Sequence, residues 1–86
     1  MASYSILLTR SAARELERVP AKDRQRIVTR IGALAHDPRP PGAEKLSADD
    51  KYRIRQGEYR ILYEIVDAEL IVTVVRVGNR REVYRR

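Results

Sequence analysis

Arginines stand at positions 53, 55 and 60 of the stretch KYRIRQGEYRILYEI (residues 51–65), set among tyrosines and isoleucines that read as core. A guanidinium is planar and permanently charged, and its forked N–H donors fit two oxygens of one phosphate or carboxylate. Three such groups held close together repel each other, and an anion between them removes that cost. The chemistry open to the set is recognition of an anion, or stabilisation of negative charge as it develops on one. The plain alternative is a solvated sheet face. Such a face usually mixes both signs of charge with Thr and Ser, whereas this one is mostly arginine.

Strand geometry would bring the three together. Tyr52 and Ile54 alternate with Arg53 and Arg55, a tight turn follows around Gly57, and Tyr59, Ile61, Tyr63 and Ile65 then alternate with Arg60, Leu62 and Glu64. Period two sends the tyrosines and isoleucines to one face and Arg53, Arg55 and Arg60 to the opposite, exposed face. A hairpin sets Arg60 beside the other two. The turn VDAE leads into LIVTVVRV, apolar on both sides, which is the pattern of a strand lying centrally in a sheet.

The first half has helical spacing. SYSILLT (residues 3–9) reads as a strand carrying Ile6, Leu7 and Leu8. SAARELERV then reads as a short helix with Ala12, Leu16 and Val19 on one stripe and Thr9 or Ser11 as its cap. Pro20 ends it and opens a second helix over about residues 21–36. Ile27, Ile31 and Leu34 form that helix's apolar stripe, with Val28 and Ala35 beside them. Its other face carries Lys22, Arg26 and Arg30 among Asp23 and Gln25. HDPRPPG cannot continue it. The order β-α-α-β-β-β predicts an α+β fold, an antiparallel sheet of about four strands with two helices packed on one face.

The 86 residues allow one small domain spanning 1–86, with no length for a second. Net charge is +6, and 15 of the 18 basic residues are Arg, which favours RNA, DNA or an acidic protein as partner. Residues 76–86, RVGNRREVYRR, hold five of these arginines against one glutamate. Without Cys there is neither a disulfide nor a thiolate metal site, and His36 alone makes no zinc site and reads as a helix-end residue. No apolar run approaches the roughly 20 residues of a membrane span, so a soluble cytoplasmic protein is expected.

The hairpin YRIR…GEYRILYEI followed by VVRVGNRREVYR resembles the RelE/ParE toxin superfamily, and in particular its RelE-like, ribosome-dependent mRNA endonucleases. The likeness extends over nearly the whole chain, including the two helices and the P…KL stretch at 38–46. It implies the toxin of a type II toxin–antitoxin system, neutralised by a cognate antitoxin. It also implies a hetero-oligomer that binds operator DNA through the antitoxin, and a free toxin that cuts mRNA in the ribosomal A site. The cut uses the RNA's own 2′-OH as nucleophile and needs no metal or other cofactor. By the same resemblance the catalytic set falls on Arg53, Arg55, Arg60, Arg80 and Tyr84, with Arg81 and Arg85 joining the arginines in holding RNA. Alternation leaves either Arg80 or Arg81 turned inward, with Arg80 preferred. Tyr84 would stack on a base or orient the phosphate, or else cover the sheet edge.

This chain departs from the family pattern in the acid–base groups. Lysines of that pattern are replaced by Arg53 and Arg55, and a histidine present in many relatives by Asn79. Arginine, with a pKa above roughly 12, is no general base. The arginines keep the electrostatic role, while the base falls to an arginine-polarised hydroxyl, a tyrosine, or the RNA and ribosome. Two other functions suit the same resemblance: a ParE-like inhibitor of DNA gyrase, and a catalytically weak RNA-binding homologue.

Overall fold

A computed structural model describes residues 3–46 and 50–79 of the chain. Strand β1 (Ser5–Leu8) passes through Thr9 into helix α1 (Arg10–Glu17). Thr9 has extended backbone, and its Oγ1 accepts the Ala12 N–H at 3.1 Å, so Thr9 rather than Ser11 is the cap. Pro20 sits directly before helix α2 (Ala21–Ala33), its φ of −52° already suited to the helix that follows. The helix stops short of residue 36; residues 34–36 continue as turns, because Pro38 disfavours helical backbone at Asp37.

The remaining strands are β2 (Glu44–Lys45), β3 (Lys51–Gln56), β4 (Tyr59–Val66) and β5 (Ile71–Asn79). Gly57 takes φ +60° in the two-residue link between β3 and β4, at the first central position, where a type II′ turn calls for glycine. A 3-10 turn over Asp67–Glu69 joins β4 to β5. The sheet order is β1-β5-β4-β3-β2. The expected α+β order is present, with two additions. β1 runs parallel to β5, a pairing that the intervening helices permit as a crossover, and β2 adds a two-residue antiparallel edge to β3. The sheet is therefore mixed and has five strands.

Ala12, Val19, Ile27, Ile31 and Leu34 of the helical layer meet Tyr52, Ile54, Ile61, Tyr63, Ile65, Val72, Val74 and Val77 of the sheet in one buried cluster. Within β5 the buried positions run 72, 74, 77, a break in period two. The register explains it: Tyr63 pairs with Val74 and Leu62 with Arg76, which leaves Val75 as an extra residue on β5. Strict alternation would have pointed Arg76 into the core. The bulge turns it outward, returns Val77 to the core, and adds local twist to the end of β5. Val28, placed beside the apolar stripe by its spacing, is 51% exposed. No helix among the described residues is long and apolar enough to cross a membrane.

Candidate functional site

The sheet face turned away from the buried cluster is organised in cross-strand rows. One row reads Glu44, Arg53, Leu62, Arg76, and the next reads Arg55, Arg60, Gly78. Arg55 and Arg60 are direct partners across the β3–β4 hairpin, and Arg53 lies on the same face two residues from Arg55. Like charges directly opposite one another weaken a strand pair. The hairpin thus gathers the three arginines as alternation predicts.

Their surroundings differ from the expected open face. Only Arg55 is exposed. Arg53 is 15% exposed at its side chain and forms an ion pair with Glu44 from β2, so its charge is partly compensated. Arg60 is buried, with 7% of its surface exposed, which corrects the expectation that it stands on an exposed face. Gly78, its partner across the β4–β5 pair, brings no side chain to that row. Arg80, Arg81, Tyr84 and Arg85 lie outside the described residues.

Tyr52, Tyr59 and Tyr63 belong to the core side as predicted. The Tyr63 hydroxyl stays inside, however, donating to the Pro38 carbonyl at 2.7 Å, and burial pushes its pKa up to about 12. Tyr52 stacks on Tyr63 with ring centroids 5.8 Å apart and accepts from Arg39 Nε at 2.9 Å. Arg39 also donates to both oxygens of Asp67, at 3.2 and 2.8 Å, and Tyr4 donates its hydroxyl to Asp67 Oδ1 at 2.6 Å. These bonds, Arg39 first and Tyr4 second, hold Asp67 at about 2, well below the usual carboxylate range. In return the Asp67 carboxylate raises the Arg39 and Tyr4 pKa values. The Asp67 end of this cluster lies beyond β4, about 20 Å from Arg60 along the strand, while Tyr63 is three residues from Arg60 and on the opposite face. The cluster fastens the proline-rich loop to the sheet and leaves the arginine end alone.

Glu15 is a further polar residue that the spacing left unassigned. Its Oε1 accepts the Val77 N–H at 2.8 Å and its Oε2 accepts from Arg76 Nε at 3.0 Å. β1 pairs with β5 only as far as Val74, so the Glu15 carboxylate takes over the edge amide that lies beyond. A signal for it existed in the sequence. Glu15 falls three residues after Ala12 and four before Val19, on the packed stripe of α1.

The chain matches the family described as "ParE toxin of type II toxin-antitoxin system, parDE" over residues 6–84. It is 31% identical over 85 residues to Toxin RelG of Mycobacterium tuberculosis, covering 96% of this chain and 98% of that protein. A chain of the RelBE2 toxin–antitoxin complex from the same organism superposes with a TM-score of 0.80 at 28% identity, over 92% of this chain and 100% of that one. A mutant of the Escherichia coli toxin RelE in the free state gives 0.78 at 25% identity, over 98% and 88%. With the family match spanning both helices and all five strands, and an arginine face built on the same sheet, the chain belongs to the ParE toxin family of type II toxin–antitoxin systems, within the RelE/ParE superfamily.

Proposed function

We propose that this toxin is an endoribonuclease that cuts mRNA in the ribosomal A site and so stops translation. The observation that carries the reading is the direct pairing of Arg55 with Arg60 beside Arg53, on a fold shared with proteins named RelE and RelG toxins. In this reaction the 2′-oxygen bonds to phosphorus as the bond from phosphorus to the leaving 5′-oxygen breaks. One proton leaves the 2′-OH and another reaches the 5′-oxygen. Negative charge builds on the two non-bridging oxygens between these events, and forked guanidinium groups bind such oxygens two at a time. Glu44, the carboxylate nearest Arg53, is engaged with it. The proton leaving the 2′-OH therefore passes to a group of the RNA or ribosome, which also returns a proton to the 5′-oxygen, with Arg80 and Tyr84 completing the protein's set. The protein acts in the cytoplasm, where translation occurs. It is held silent by a RelB-type antitoxin in a hetero-oligomer, and that antitoxin contacts operator DNA.

Primer extension on mRNA from cells expressing the free protein tests the proposal. Cleavage of translated messages is expected, with far less on naked RNA. Equal cleavage of both would overturn the ribosome requirement. The family description names ParE, so a second reading is inhibition of DNA gyrase. Loss of supercoiling at a comparable dose, with mRNA intact, would establish it instead.

A further inference from the structure

Between α1 and the open edge of β5 lies a hollow of about 270 Å³ lined by Ser11, Arg14, Glu15, Arg18 and Arg76. We propose that it is a phosphate-binding subsite for the RNA strand that passes over the arginine face, a role that rests on the nuclease reading above.

The hollow holds three guanidinium groups against one carboxylate. That carboxylate is already engaged, one oxygen on the Val77 N–H and the other on Arg76 Nε. Glu15 thereby fixes the plane of the Arg76 guanidinium while both of its Nη atoms remain without a hydrogen bond among the described residues. Arg14 and Arg18 stand one helical turn apart, exposed, and neither makes an ion pair among the described residues. The C-terminus of α1 favours nearby cations, which accounts for one of these arginines by itself. It does not account for Arg76, drawn to the same hollow from the sheet and held there by a helix residue. Positive groups collected at this density repel each other, and a bound phosphate removes the repulsion.

The position fits a strand continuing from the cradle. Arg76 is two residues from Gly78, the cross-strand partner of Arg60, about 7 Å along β5. Leu62 lies between Arg76 and Arg53 in their row and offers a small apolar surface to a base. An acidic protein segment fits less well, since every side chain lining the hollow is polar or charged and nothing there would bury an apolar anchor.

The test compares wild type, Arg14→Ala/Arg18→Ala, Arg76→Ala and, as a control on α2, Lys22→Ala. Each is assayed for A-site cleavage, for antitoxin binding, and for equilibrium binding of a single-stranded RNA oligonucleotide over a range of salt concentrations. Thermal melts check that each variant folds. Loss of the one phosphate contact should lower the slope of log affinity against log salt by about 0.7 in the double variant. KM is expected to rise about tenfold with kcat little changed, the mark of lost uniform binding. Lys22→Ala should match wild type. A wild-type salt slope in the double variant overturns the subsite. So does loss of antitoxin binding with RNA affinity intact, which would make the hollow a protein contact. If no RNA is cleaved yet the slope still falls, the nuclease reading fails and the subsite stands.

Discussion

Arg55 and Arg60 face each other across one hairpin, yet their removal should read out differently. Arg55 is exposed and makes no hydrogen bond or ion pair among the described residues. Arg55→Ala is therefore expected to change stability by less than about 0.5 kcal/mol, as surface substitutions do. Cleavage should fall about a hundredfold through the lost contact to phosphate charge. Arg60→Ala removes a buried side chain, so cleavage should fall together with stability, the latter by about 1–3 kcal/mol. Urea unfolding beside primer extension separates the two effects; equal stability losses would contradict the burial difference. Alternation in the sequence was enough to put Arg53, Arg55 and Arg60 on one face, because it is a property of single strands. The burial of Arg60 was not legible, since burial depends on how separate segments of the chain come together, which strand alternation does not report. The Glu44–Arg53 pair was hidden for a similar reason: β2 is two residues long and shows no period at all.

Among the elements, β5 is where local pattern and final structure part company. The doublet Val74–Val75 before Arg76 was the visible trace of the bulge, but a doublet in an apolar run has no unique reading until a partner strand fixes the register. By contrast β1, both helices and the β3–β4 hairpin follow from short-range signals: the Thr9 cap, the stripe Ile27, Ile31, Leu34, and Gly57. A chain lacking Val75 retains simple alternation from Val72 to Val77, with Arg76 outward and Val77 inward. It is expected to fold, giving a cooperative urea transition. The added twist of β5 would go, however, shifting Arg76 and Gly78 relative to Arg60. A displacement of about 1 Å at a reacting group can cost about a hundredfold in rate, so cleavage should drop by that order. A folded deletion variant that cuts mRNA at the wild-type rate would show that the bulge does not aim the site.

Across the whole molecule, stability should depend on pH at both extremes through the cluster opposite the arginines. Asp67 has its pKa lowered from 3.8 to about 2 by Arg39 and Tyr4. Its contribution is present in full above the unfolded value and fades as pH falls from 3.8 toward 2, because the unfolded chain then binds the proton more readily. Tyr63 is raised from 10.0 to about 12, so the neutral phenol stabilises the fold below pH 10 and that contribution is lost as pH climbs toward 12. Melting temperatures measured from pH 5 down to 2 should decline less steeply in Asp67→Asn than in wild type, about a lower starting value. Parallel curves would remove Asp67 as the acid-sensitive group. None of this cluster was apparent from spacing, for Tyr4, Arg39, Tyr52 and Asp67 come from four separate segments.

The parallel pairing of β1 with β5 also bears on the order in which the chain is made. Residues 5–8 are made long before residues 71–74, yet among the described residues their one ladder is with that later segment. Helix α1 likewise packs against β5. A nascent chain that has not reached β5 has no partner for its leading strand, and Gly78 is not yet present to sit opposite Arg60. Closing so long a loop is also slow compared with forming the hairpin within it. The arginine face therefore cannot be complete before residue 78 has been made, and a chain cut short ahead of β5 lacks the strand that pairs with Arg60.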